Sequence, residues 1–520
     1  MKFLNNKKNI LYLKYIRKLK KELPFFIYDL KSDLLKSQFN KNFFLKNLPS
    51  KILHQILFKL FVNKDEFGKK LAISYSKNSK FIYPLPLSWL KIVSKKLEVN
   101  YFLSTLSFLY KVVINLIKDY IKNLLIIFSF KKNFNKDILY FSELPNNLSL
   151  LNEPAELNYF FKFKKIIDFK KKIIIHNNPN LKYFYYFDKQ NLIKVKFCKN
   201  YLFINNNVFY KICFFFYSTF LFLYSFCLIF FNKYYNALLY DDFIKVLFLK
   251  TKKDDLITFF FNNASGFHRP LWTYKKIFLN KNIESYFYFY SSNAATNKLT
   301  KKLELQKNKK NINIFYLLSW DNYLTCCEDQ NEILRNNLDQ YNYNFQNIGV
   351  ISFQGNKKFF KKNSEKLIVS IFDVSAYRPR FVLYEQMPYN YYTLKNVSKF
   401  HEDIIDLFKK FDDKWKVVIK QKRPSDARKG VRKKFSRLSV IENNKKIEKI
   451  ADDVNTNSII LNSNLVISMP YTNPSFIAKE YGVKTVFYDP TGFLPEHILT
   501  KNISLISSKE SLHNFIKNNF

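Results

Sequence analysis

Glycine is scarce in this sequence, with 7 in 520 residues, and so are cysteine (5), methionine (3) and tryptophan (4). The cysteines Cys198, Cys213, Cys227, Cys326 and Cys327 include no CxxC pair and leave an odd residue. That pattern argues against a disulfide framework or a zinc site and for a reducing compartment, and no metal is expected. Acidic residues number 41 against 86 lysines and arginines, a formal charge of +45. Nucleic acid is the usual partner of such a charge, but the modules that read it are missing. There is no zinc-finger spacing, no basic heptad region and no Gly-aromatic RNP pattern. Lysine is spread over the whole chain together with Asn, Ile, Phe and Tyr, a skew of the kind AT-rich coding produces. Part of the charge is therefore background, and no nucleic-acid partner is expected. An anionic membrane surface or an anionic donor remains compatible with it. No fixed-period repeat supports a solenoid. No unbroken apolar core of signal-peptide type opens the chain, so a cytoplasmic location is expected.

What is present is length and apolar bulk. At 520 residues the chain exceeds the size at which one core usually stops growing, so two lobes are expected. Ile10, Leu11, Leu13, Ile16 and Leu19 alternate with Lys14, Arg17, Lys18, Lys20 and Lys21. This is the pattern of a basic amphipathic helix, lying either on anionic lipid or on its own domain. Tyr101 to Phe130 is apolar but carries Lys111, Lys118, Asp119 and Lys122, which predicts a helix with one wet face. Ile212 to Asn232 holds no charge between Lys211 and Lys233. At ~1.5 Å per residue it is long enough to cross a bilayer, but both flanks are basic, which predicts a buried or in-plane membrane-associated helix rather than a span.

Alternating α/β grammar begins at Leu256. Leu256 to Phe261 reads as a strand, Asn262 to His268 as a loop, Arg269 to Asn280 as a helix and Ile283 to Tyr290 as a strand. The polar stretch Asn342 to Gly349 reads as a linker, with Ile351-Ser352-Phe353 opening a second lobe. There Leu367 to Val374 and Trp415 to Ile419 are strands and Ser398 to Phe411 is a helix. Leu465 to Met469 is a strand broken by Pro470-Tyr471-Thr472. Asn473 reads as an N-cap with Pro474 at the first helical position, Gly482 as the left-handed stop, and Thr485 to Tyr488 as the next strand. The fold class is α/β: two Rossmann-like lobes facing one another, with a helix-rich N-terminal extension over 1–136, a first lobe over 137–345 and a second over 346–520.

A strand that feeds a loop onto a helix N-terminus aims backbone amides at an anion, phosphate above all. An ordinary well-capped βαβ unit has the same grammar. Asp373, Lys420 with Lys422 and Arg423, and Pro470 to Ser475 each follow a strand and so fall along one sheet edge. Nine basic residues lie between Lys420 and Arg437, enough to neutralise a diphosphate or simply to form a solvated loop. In the first lobe, His268 follows a strand in Ala264-Ser265-Gly266-Phe267-His268-Arg269. It is a candidate general base or a locally bonded histidine, with Glu284 and Asp321 as alternatives. Arg269 and Trp272 are acceptor-side candidates, and Trp272 and Tyr274 fit a core equally well.

Met469-Pro470-Tyr471-Thr472-Asn473, Ala478-Lys479-Glu480 and Phe487-Tyr488-Asp489-Pro490 resemble the bacterial polysaccharide-biosynthesis family named for a Pro-Phe-Thr-Ser motif. Further similar blocks are Arg269 to Tyr274, Tyr288 to Ser291, Val369 to Val374 and Val418 to Arg423, in family order over roughly Leu256 to Phe515. Tyr471 replaces Phe and Asn473 replaces Ser, which keeps the aromatic and the capping capacity but removes a hydroxyl. The resemblance implies a GT-B-like glycosyltransferase of surface polysaccharide assembly, peripheral at the inner membrane and without a cofactor. It implies a nucleotide-sugar donor in the second lobe and a glycan or lipid-linked acceptor in the first. Tyr471, Thr472, Asn473 and Ser475 would join Asp373, Lys420, Lys422 and Arg423 at the donor, with Glu480 as a ribose-binding acid. A transferase of another activated group, such as polyol phosphate, and a non-catalytic assembly partner are the alternatives.

Overall fold

Runs rich in Ile, Val, Phe and Tyr become strands buried on both faces, as parallel sheets require. The computed structural model describes the elements given below. Residues 1–69, 130–137, 143–172, 198–205, 263–268, 275–282, 290–317, 350–365, 375–390, 421–446 and 495–502, with other short stretches, lie outside the described residues. The pattern at Ile10 to Leu19, the segment Ile351-Ser352-Phe353 and the candidates His268, Lys422 and Arg423 fall in that set.

The first sheet is built from β1 (Ile138–Phe141), β2 (Ile173–His176), β3 (Tyr183–Asp188), β4 (Asn191–Phe197), β5 (Ile257–Asn262), β6 (Ile283–Tyr288), β7 (Asn322–Thr325) and β8 (Asn344–Asn347). Their spatial order is β3-β4-β2-β1-β5-β6-β7-β8, parallel throughout except for the β3–β4 pair. The second sheet contains β9 (Leu367–Phe372), β10 (Trp415–Lys420), β11 (Ile447–Lys449), β12 (Leu465–Ser468), β13 (Lys484–Tyr488) and β14 (Leu505–Ile506). Its order is β11-β10-β9-β12-β13-β14, parallel in every pair. In each sheet the chain starts at the centre, winds to one edge, returns and winds to the other. This doubly wound order opens a crevice beyond the C-terminal strand ends, between β1 and β5 in one lobe and between β9 and β12 in the other.

The helices are α1 (Leu87–Ser94), α2 (Tyr101–Ile127), α3 (Val208–Phe230), α4 (Tyr235–Leu238), α5 (Tyr240–Lys250), α6 (Glu328–Asn337), α7 (Leu394–Lys410), α8 (Thr456–Leu461), α9 (Asn473–Glu480) and α10 (Lys509–Asn519). The helix-rich part is not confined to an N-terminal extension, because α2 packs antiparallel to α3. Tyr120 stacks on Phe222 at 4.4 Å and bonds the Thr219 hydroxyl at 3.0 Å, while Lys211 Nζ donates to the Ser129 carbonyl at 2.8 Å. α5 closes the group. Asp241 accepts from Lys122 at 3.1 Å, from Asn123 at 3.1 Å and from Lys245 at 2.5 Å.

Three details depart from the sequence reading. The predicted wet face of α2 is inverted: Asp119, Lys122 and Asn123 lie on the side of α5, whereas Phe102, Leu106, Tyr110, Ile121, Leu125 and Phe128 are exposed alongside Lys118. Asn342 to Gly349 is not a linker. It contains β8, whose Asn344 amide donates to the Asp321 carbonyl at 3.1 Å and whose following Ile348 amide donates to Thr325 at 2.9 Å. The polar text there marks an edge strand with one neighbour, the usual composition of sheet edges, and the two sheets separate between Asn347 and Leu367. Of the helix predicted from Arg269 to Asn280, the described part is a single 3₁₀ turn, Leu271–Thr273, followed by extended Tyr274, and the rest lies outside the described residues.

Candidate functional site

The crevice of the second lobe is set by register. Lys420 and Ser468 both lie level with Phe372, so the chain leaving β9 stands between the ends of β10 and β12, with about 5 Å to each neighbour. Asp373 is the first residue past β9, Lys420 ends β10, and Met469 to Thr472 lead from β12 into α9. Asp373 and Lys420 are both buried. The structure thus brings Asp373, Lys420, Tyr471, Thr472 and Asn473 to one sheet edge.

The loop after β12 is held from several sides. The Met469 amide donates to the Phe372 carbonyl at 3.2 Å, Tyr392 Oη donates to the Pro470 carbonyl at 2.7 Å, and Thr472 Oγ1 turns back to the Met469 carbonyl at 2.8 Å. Tyr471 has a φ of 61°, in the left-handed region that a β-carbon disfavours by about 1–2 kcal/mol. Its buried ring, edge-on to Phe487 at 5.8 Å, pins that conformation. By backbone geometry Thr472, not Asn473, is the residue before the helix, and it makes no side-chain cap. With its hydroxyl committed to Met469, the first turn of α9 is left with backbone amides and the positive end of the helix dipole. Ser475 is buried, its hydroxyl 2.6 Å from that of Ser468, and so fastens α9 to β12. Glu480 ends α9, about 10 Å along the helix from Asn473. Its carboxylate packs against Gly349, where an added Cβ would stand 2.3 Å from Oε1.

Two groups at this edge were not singled out from sequence. His401, from α7, is buried with Nε2 3.3 Å from Asp373 Oδ2, and its Nδ1 has no partner among the described residues. Its position one turn beyond Val397, on the buried side of the helix with Phe400 and Ile404, is the signal that reveals it. Asp489, read only as part of a turn, is fully buried after β13. It accepts from Tyr391 Oη at 2.6 Å, from the Thr491 amide at 2.9 Å and hydroxyl at 2.6 Å, and from the Leu494 amide at 2.8 Å.

In the first lobe the crevice lies beyond β1 and β5, where Ser142 donates to the Phe260 carbonyl at 2.8 Å and Asn262 Nδ2 to Tyr288 Oη at 3.0 Å. His268 lies six residues past β5, outside the described residues. His176 ends β2 level with Phe141, and burial pulls its imidazole down to about 4, keeping it neutral.

The two acceptor-side candidates are committed elsewhere. Arg269 is buried and all its donors are used. It forms a fork onto Asp321 at 3.1 and 2.6 Å and bonds the Ser319 and Thr273 carbonyls and the Ser285 and Thr273 hydroxyls. The guanidinium stacks on Tyr274 at 3.8 Å. Trp272 packs among Phe259, Tyr140 and Phe261 in the core. Asp321 is occupied by Arg269, and Glu284 lies near the start of β6, far from the strand tips.

A pair of doubly wound lobes, with a helix N-terminus that has no side-chain cap, a buried lysine and a buried aspartate at one switch point, defines a two-lobed α/β protein with a polar crevice in its second lobe. A family model for polysaccharide biosynthesis PFTS motif proteins matches residues 217–516, and the chain belongs to that family. The match begins inside α3, ahead of the similarity visible in the sequence. No curated protein matches. Solved structures with a similar chain include the wall teichoic acid polymerase TagF, at 12% identity and a TM-score of 0.38 over 79% of this chain and 88% of that one. Others are the UDP-GlcNAc 2-epimerase of Neisseria meningitidis (12%, 0.35, 74% and 91%) and a glycosyltransferase of Rickettsia africae (10%, 0.36, 74% and 89%). Scores below 0.5 leave substrate and reaction to be argued from the site.

Proposed function

We propose that this protein is a transferase of polysaccharide assembly that takes a sugar from a nucleotide-sugar donor and passes it to a glycan or lipid-linked acceptor. The observation that carries this reading is the coincidence of the family motif with the topological switch point of the second lobe, where Asp373, Lys420 and the first turn of α9 converge. There the Lys420 ammonium and the amides from Asn473 onward hold the donor's diphosphate and stabilise it as it leaves. We assign the same role to Lys422 and Arg423, two and three residues after Lys420 in the sequence.

The acceptor hydroxyl needs a base from the first lobe. His176 is a poor one, since an imidazole pulled down to about 4 holds a proton weakly at neutral pH. His268, which follows β5 by six residues in the sequence, is the base we assign. The site operates in the cytoplasm, where nucleotide sugars are available.

A thermal-shift screen of the purified protein against nucleotides and nucleotide sugars tests the donor site, because a ligand that binds only the folded state raises Tm. We expect stabilisation by one nucleotide family, lost in Lys420→Gln and Arg423→Ala. A flat response from folded protein, with no sugar transferred, sinks the reading and leaves a non-catalytic partner of the assembly machinery.

A further inference from the structure

The helices α2 and α3 are apolar on both sides: Phe108, Val112, Leu116, Phe214, Leu221 and Ile229 are buried, some polar and ionised residues share that side, and large apolar residues also cover the outer face. On α3 the buried face carries Lys211, Ser218 and Ser225, with Ser218 bonded to the Tyr240 hydroxyl, whereas Phe216, Phe220 and Phe230 stand 66%, 65% and 74% exposed. On α2 the residues on the side of α5 include Asp119, Lys122 and Asn123, whereas Phe102, Leu106 and Leu125 are 74%, 53% and 71% exposed. A helix in water turns its apolar stripe inward and its ionised residues outward. Contiguous apolar patches of this extent mark a surface that is covered in use.

We propose that the outer face of the α2–α3 pair docks on a lipid bilayer, with both helices lying in the plane of one leaflet. The 23 residues of α3 and the 27 of α2 are each long enough to span, but the middle of α2 is tied through the ion pairs of Lys122 and Lys245 with Asp241 to a charged helix that borders the first sheet. A span would carry those ion pairs into hydrocarbon, whereas an in-plane pair keeps them on its protein side. Charge complementarity selects lipid over a protein partner. Among the described residues the exposed ionised side chain of the helix pair, Lys118, is basic, in a chain of net charge +45, which matches anionic headgroups. Lys118, exposed among the apolar residues of α2, reaches the headgroups along its own aliphatic stem. The inference does not depend on the donor reading.

The exposed thiols Cys213 and Cys227 sit on this face of α3, about 21 Å apart along the helix, and serve as native probes. In the full chain with the other three cysteines replaced by serine, reaction with a water-soluble maleimide is expected to slow roughly tenfold at both thiols on adding vesicles of phosphatidylcholine with phosphatidylglycerol. Quenchers held at defined depths in the outer leaflet alone should find labels at the two positions equally deep, whereas a span would put one of the two in the opposite leaflet. Flotation with the vesicles should be lost in the triple variant Phe216→Ser, Phe220→Ser, Phe230→Ser, whose substitutions are all on the surface. Unequal depths overturn the in-plane arrangement in favour of a span. Thiols already protected without lipid, with a dimer mass in solution, assign the face to a second copy. Flotation of the triple variant equal to that of the parent, abolished by high salt alone, reduces the attachment to charge.

Discussion

At Tyr471 a bulky side chain occupies a backbone conformation usually left to glycine, and burial of its ring against Phe487 compensates the strain. Removing the ring should therefore cost more than relaxing the backbone gains. Tyr471→Ala is expected to destabilise the fold by about 3–5 kcal/mol, whereas Tyr471→Phe, which restores the family's own motif, should cost less than about 1.5 kcal/mol. Urea midpoints at constant m-value check both, and a near-neutral Tyr471→Ala would show that the loop is not pinned by packing. His401 works at the same scale. Held against Asp373 from a neighbouring helix, it orients that carboxylate at the mouth of the crevice, and substitution there should weaken donor-induced stabilisation through Asp373.

At the scale of elements, α5 packs on the 3₁₀ turn that follows β5, and among the contacts there the Leu271 amide donates to Asp242 Oδ1 at 3.3 Å. Burial, reinforced by the neighbouring Asp241 charge, pushes the Asp242 carboxyl up to about 7 from an ordinary value of 3.8. Between those two values the folded state holds a proton that the unfolded chain has lost, so this group's contribution to stability falls as pH rises from about 4 through 7. Asp242→Asn should flatten that fall. Melting curves of parent and variant at pH 5 and pH 8 compare the slopes, and an unchanged pH dependence in the variant would refute the assignment.

Legibility in the sequence also divides at this scale. The unit from Leu465 to Tyr488 was readable because a pure apolar run, a Pro-containing turn and Gly482 succeed one another, and Leu367 to Phe372 and Trp415 to Lys420 were readable for similar reasons. The short strands β1, β2, β7 and β8 were not. In a chain where Ile, Phe, Tyr, Lys and Asn fill every segment, four residues give too little contrast with their surroundings. Arg269 looked like a ligand contact because a buried, fully bonded guanidinium and a substrate-binding one are spelled alike. The inversion of α2 was hidden because periodicity shows that a helix has two faces, not which medium each will meet.

At the scale of the molecule, the lobes touch where Gly349, two residues past β8, meets the carboxylate of Glu480 at the end of α9. Gly349 has a φ of 79°, so a side chain there is strained regardless of space. Gly349→Ala should cost about 1–2 kcal/mol, and adding Glu480→Ala should not recover it, because the backbone conformation rather than the contact sets the cost. Denaturant midpoints of the single and double variants decide the point, and full recovery in the double variant would mean that contact rather than backbone sets the cost.

The path of the chain through the first sheet has a consequence for how the molecule is made. Ile138 of β1 pairs with Ile257 of β5, and the whole of α3, α4 and α5 is synthesised between them. The strand that completes the centre of this sheet leaves the ribosome only after the apolar helix pair is already outside. A chain emerging at about 5–20 residues per second therefore presents its phenylalanine face for several seconds before the first lobe can close.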